Sequence, residues 1–134
     1  MKNEMLATDF NPHWRNKKWF RFTILQHTTI GDEYHWDFLY EQVDVCLTFS
    51  VPKEAVNDKE IRCVATRLPA HRLMYLDYEG PVSGDRGVVR RIDSGKYEIN
   101  GNMIRFQGNV WHGTINLDTN EIFSTMFSLE NKSV

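Results

Sequence analysis

The chain has 134 residues, 41% of them hydrophobic and 25% charged, and carries a formal net charge of −2 at pH 7. That length suits one domain and leaves no room for a separate cofactor domain. The charge balance excludes a protein that coats nucleic acid by bulk positive charge, and no apolar run approaches the roughly 20 residues of a membrane span. The opening MKNEMLATDFNPHWRNKKWF has no apolar core of a secretory signal and no small-residue cleavage site, so a cytoplasmic location is expected. Basic residues gather in RNKKWFR and RGVVRR, which allows a local anion pocket on an otherwise neutral surface.

Along the chain, period-two alternation dominates. WFRFTILQH sets Phe20, Phe22 and Ile24 on one face and Trp19, Arg21, Thr23, Leu25 and His27 on the other. EYHWDFLY places His35, Asp37 and Leu39 together, opposite Tyr34, Trp36, Phe38 and Tyr40. VDVCLTFS then leads into VPKEAVND, where a short helical turn fits between Pro52 and Asp58. EIRCVATRL, GVVRRID, KYEI, MIRFQ, VWHGTINL and EIFSTMFSL read as further strands, punctuated by EGPVSGDRG, NGN, QGN and LDTN. Cys46 and Cys63 lie in apolar contexts without C-x-x-C spacing, so buried free thiols are expected. With no repeat or linker, residues 1–134 are expected to form a single all-β domain, a small, mostly antiparallel β-barrel whose closure removes exposed strand edges.

Within that pattern, His35 and Asp37 share a strand face and His27 ends the preceding strand across a Gly-containing turn. Two imidazoles and a carboxylate can hold a divalent ion facially and leave open positions, as catalytic sites require. The same residues also read as a half-buried hairpin whose histidines pack among aromatics.

ILQH, YHWDF, FSVPK, AHRLMYLDYEG and DSGKYE, in that order, resemble the 3′-phosphoesterase domain of bacterial DNA ligase D. That family's pattern reads K-H, then H-Y-D-F-R, W-A-V-P-K, D-H-P-L-D-Y-A-D-F-E-G and D-x-G-x-W. The likeness covers most of Phe22 to Glu98, and RFQGNVWHGTINL echoes the family's closing rhythm of phenylalanine, two glycines and leucine. The resemblance implies a metal-binding crevice with His27, His35 and Asp37 as ligands. It implies manganese as the ion, although zinc, iron or cobalt would suit the same donors. It makes Lys53 and His71 catalytic residues on the phosphate, with Tyr75 beside them, and primer 3′ ends of DNA or DNA/RNA the substrate.

The sequence departs from the pattern in its arginines. Leu39 replaces the arginine two places after the aspartate, on the face of His35 and Asp37, so one phosphate clamp is missing. Arg62 and Arg67 are the expected phosphate-binding substitutes, since the family's acidic residue and arginine fall on Pro69 and Cys63. The segment between the two histidines is two residues longer than the family's, in TTIGDE, and the N-terminal motif has only TDFNP as an echo. His13 and His112 match no motif and read as structural or surface residues. Three functions follow: a metal-dependent phosphoesterase that heals nucleic-acid 3′ ends, a non-catalytic relative that binds a DNA end or a repair partner, or a phosphoesterase for small nucleotides using space opened by Leu39. Joining of healed ends would fall to a separate ligase or polymerase.

Overall fold

Eleven strands run through residues 19–127, the part of the chain that the computed structural model describes. TDFNP, His13 and the basic residues Arg15, Lys17 and Lys18 lie outside the described residues. The strands are β1 (Phe20–Thr28), β2 (Tyr34–Glu41), β3 (Val45–Pro52), β4 (Val56–Asn57), β5 (Glu60–Val64), β6 (Thr66–Arg72), β7 (Gly80–Pro81), β8 (Val88–Asn100), β9 (Met103–Gly108), β10 (Trp111–Asn116) and β11 (Glu121–Met126). Two 3-10 turns, Lys53–Ala55 and Leu73–Leu76, interrupt them. Among the described residues no helix is long and apolar enough to cross a membrane.

The fold is all-β and antiparallel throughout. One sheet runs in the order β4-β5-β11-β10-β9-β8-β1-β2-β3-β6, with β7 paired to β8. The sheet curls into a half-barrel: its path ends at β4 and β6, and no ladder joins them. The β6 edge is protected by Pro69, which has no ladder donor to offer, and by the flanking Arg67 and Arg72.

Alternation divides the interior in two. Phe20, Phe22, Ile24, Phe38, Tyr40, Phe49 and Phe106 fill the main core. The opposite face of β1, β2 and β3 would be exposed in a simple two-sided sheet, yet Leu25, Leu39 and Cys46 are fully buried there. Leu76 from the second 3-10 turn and Val89 from β8 complete this smaller cluster, and Thr23 Oγ1 donates to the Leu76 carbonyl at 3.0 Å. Leu39 therefore opens no space for a small nucleotide; it is sealed beneath the turn. Burial pushes the Cys46 thiol up to about 12, while Cys63 is only half-buried.

Two expected boundaries moved. GVVRRID and KYEI form one strand, β8, because DSG makes no turn. Asp93 is buried and accepts from the backbone N–H groups of Ser94, Asn109, Val110 and Trp111, at 2.8 to 3.0 Å. This carboxylate holds the β9–β10 turn in place. Gly108 allows the approach, since a Cβ there would stand 2.2 Å from Asp93 Oδ2. EIRCVATRL, by contrast, is two strands: Ala65 breaks away and donates its N–H to the Asn120 carbonyl at 2.8 Å.

Candidate metal centre

The longer β1–β2 turn leaves the ladder in register. Thr29 and Glu33 close it, with Thr29 N–H donating to the Glu33 carbonyl at 2.8 Å. His27 then pairs directly with His35, and Leu25 with Asp37. Cross-strand partners share a face, so both imidazoles and the carboxylate project together. Their ligand atoms all lie within 4.8 Å of one another.

His71 joins them from β6, where a strand replaces the loop that its LPA context suggests. Cys46 pairs with His71 and Thr48 with Leu68, so one residue of β3, Leu47, opposes two of β6. This β-bulge at Pro69 and Ala70 reverses the parity of the strand and turns His71 toward Asp37 instead of away from it. His71 Nε2 lies 3.8 Å from Asp37 Oδ2.

The ring tautomers follow from backbone contacts. His27 Nε2 is 2.6 Å from the Arg86 carbonyl, which can only accept, so Nε2 carries the proton. Its Nδ1 lone pair then faces Asp37 Oδ2 at 3.9 Å. His71 Nδ1 donates to the Pro69 carbonyl at 3.1 Å, leaving Nε2 for the site. His35 Nε2 comes within 3.1 Å of Asp37 Oδ1. Hydrogen bonding to Asp37 raises the His35 pKa above its ordinary value, with burial opposing. The approach is off-line, however, and leaves the buried Oδ1 without a well-formed hydrogen bond. Lone pairs of two imidazoles and a 1% exposed carboxylate thus point at one another. A divalent cation could be held among these groups.

The crevice over these groups has a volume of about 420 Å³. Tyr75 lines it from the second 3-10 turn, not from a strand, with its ring edge-on to His71 at 5.9 Å. Arg72 and Arg86 line it as well. The expected phosphate ligands, Arg62 and Arg67, do not. Arg62 faces a different cavity, pairs with Glu60 and covers the Phe123 ring. Arg67 pairs with Phe49, whose face belongs to the main core, and its guanidinium lies over that ring at 5.1 Å. Strand parity turns Arg67 away from Asp37, and Arg62, on β5, lies far along the sheet from it. Lys53 follows Pro52, the partner of His35, but its ammonium pairs with Glu33 at 3.2 Å and does not line the crevice. His112, on β10, contacts Thr125 and Phe127, far along the sheet from Asp37.

Arg86 and Arg72 are the residues that sequence reasoning missed. The RGVVRR run gave a signal for the first, and adjacency to His71 for the second, but nothing local says which arginine reaches the crevice.

A curled antiparallel sheet with two imidazoles and a carboxylate at an open crevice belongs to the class of β-scaffolds with a candidate open metal centre. Residues 26–127 match the DNA ligase D 3′-phosphoesterase domain, and the chain belongs to that family. The matched span contains every group described around Asp37. No curated protein matches the chain.

Proposed function

We propose that the chain is a metal-dependent phosphoesterase that acts on nucleic-acid 3′ ends, removing a 3′-phosphate or a terminal ribonucleoside during DNA end repair. The observation that carries this reading is the convergence of acceptors on Asp37, with Oδ1 buried and lacking a well-formed partner. His27 Nδ1, His35 Nε2 and the Asp37 carboxylate would hold the ion. Manganese is the family expectation, and zinc, iron and cobalt accept the same donors. Such an ion polarises a phosphoryl oxygen and lowers the pKa of bound water.

The Arg86 carbonyl fixes the His27 tautomer in the manner of outer-shell partners at metal sites. His71, pinned by Pro69, presents Nε2 to the same space and gives or takes a proton at a phosphate oxygen. Tyr75 sets the tilt of that ring. Lys53 lies outside the crevice lining, paired with the largely exposed Glu33, a weak partnership that a substrate phosphate would replace. A separate ligase or polymerase would use the 3′-hydroxyl produced.

The test is release of phosphate, or of a nucleoside, from primer–templates ending in a 3′-phosphate or a single 3′-ribonucleotide, with manganese and with chelator. Manganese-dependent release that is lost in His71→Ala supports the proposal. Tight binding of such ends without turnover under any divalent ion would replace it with the binding module.

A further inference from the structure

The crevice needs a cation to meet the substrate's phosphate, and Leu39, sealed among Leu25, Cys46, Leu76 and Val89, offers none. Two arginines line the opening, Arg72 and Arg86. They differ in how they are held. Arg72 has no side-chain hydrogen bond or ion pair among the described residues, so its long side chain would have to be ordered at the moment of binding.

Arg86 is already placed. Its Nε donates to the Ser83 carbonyl at 2.7 Å and its Nη2 to Ser83 Oγ at 3.2 Å, leaving Nη1 and the second Nη2 proton for a ligand. The turn that carries it is anchored at both ends. Val82 N–H donates to the Gly87 carbonyl at 2.8 Å. Gly87, at φ +94°, presses so closely on β1 that a Cβ would meet the Thr28 carbonyl oxygen at 2.0 Å. Among the described residues no carboxylate pairs with the Arg86 guanidinium. The carbonyl of the same residue accepts from His27 Nε2, so the guanidinium is tied by one residue's backbone to the ion-binding group.

We propose that Arg86 is the phosphate clamp of this site, a specificity residue that binds the terminal phosphate of a 3′ end at the rim while its carbonyl orients His27. The proposal rests on the phosphoesterase reading above. A planar fork held on one edge and free on the other suits a phosphate better than a point charge does. Because the His27 contact is made by backbone, Arg86→Ala removes the clamp and leaves the ligand geometry.

The experiment is stopped-flow fluorescence anisotropy of a primer–template ending in a 3′-phosphate against the same duplex ending in a 3′-hydroxyl, in manganese, with initial amplitudes read before turnover. Wild type should prefer the 3′-phosphate. Arg86→Ala should lose about tenfold of that preference, with bound manganese and melting temperature unchanged, Arg86→Lys should recover part of it, and Arg72→Ala should keep it. If Arg86→Ala retains the preference, or Arg72→Ala is the variant that loses it, the clamp is not Arg86 although the phosphoesterase reading stands. If wild type itself does not distinguish the two ends, both fall together.

Discussion

His27 and His35 stand directly opposite each other on the β1–β2 ladder, ring centroids 5.0 Å apart, and Asp37 approaches the two rings at 3.9 and 3.1 Å. The Arg86 carbonyl dictates which nitrogen of His27 faces the carboxylate. These relationships make a metal prediction direct. His27→Ala and Asp37→Ala should each reduce protein-bound manganese at least tenfold in equilibrium dialysis while circular dichroism stays unchanged. Saturating manganese should raise the wild-type melting temperature by linkage, since about 100-fold excess over Kd adds about 2.7 kcal/mol. Neither variant should show that rise.

Removing the Asp37 charge should have the reverse effect on the metal-free protein. A buried carboxylate oxygen without a well-formed donor is a stability cost. Asp37→Asn should therefore match or exceed wild type in urea midpoint in the presence of chelator. A loss of several kcal/mol in chelator would show that the carboxylate is satisfied without an ion.

Leu39→Arg would place an arginine where the family pattern has one, yet here the position is fully buried among aliphatic side chains. An uncompensated buried charge costs roughly 3–5 kcal/mol. The variant should unfold at a clearly lower urea concentration and gain no activity; a stable Leu39→Arg protein would mean that the second 3-10 turn lifts readily from the sheet.

Much of the site was legible in the sequence because it depends on parity. Period-two alternation alone puts His27 on the mixed face of β1, and His35 and Asp37 on one face of β2. The family resemblance added His71 and Tyr75, which the crevice does bring together with them. Three features were not legible. The β6 bulge changes parity through one extra residue with no sequence mark beyond Pro69. The second cluster buries Leu39 through contacts with a turn more than thirty residues away in sequence. Arg86 reaches His27 across the β7–β8 turn, a contact of separation 59 that no local pattern encodes. GVVRRID and KYEI read as separate strands for a related reason, since the partners of Asp93 that bind DSG into one strand lie on another hairpin.

His71 can be tested on its own by His71→Ala, which removes the imidazole and keeps the β6 bulge. Manganese binding should persist, whereas phosphate release should fall by about 10²-fold or more, the scale of a lost acid–base group. Unchanged release would remove His71 from the mechanism.

Asp93 should prove structural. Asp93→Ala strips the acceptor from four backbone N–H groups, and even one or two charge-assisted bonds at about 1.5–3 kcal/mol each would be felt. The denaturant midpoint should drop sharply, and amide exchange should rise at Asn109, Val110 and Trp111. Manganese affinity of the folded fraction should not change.

The most direct test of the central claim is phosphate release from a 3′-phosphate primer–template as manganese is titrated into metal-free protein, with wild type and Asp37→Ala in parallel. Release by wild type should rise with bound metal and level off at one ion per chain, while Asp37→Ala stays at background throughout. Release that is equally fast in chelator, or equally fast in Asp37→Ala, would contradict a metal centre at His27, His35 and Asp37.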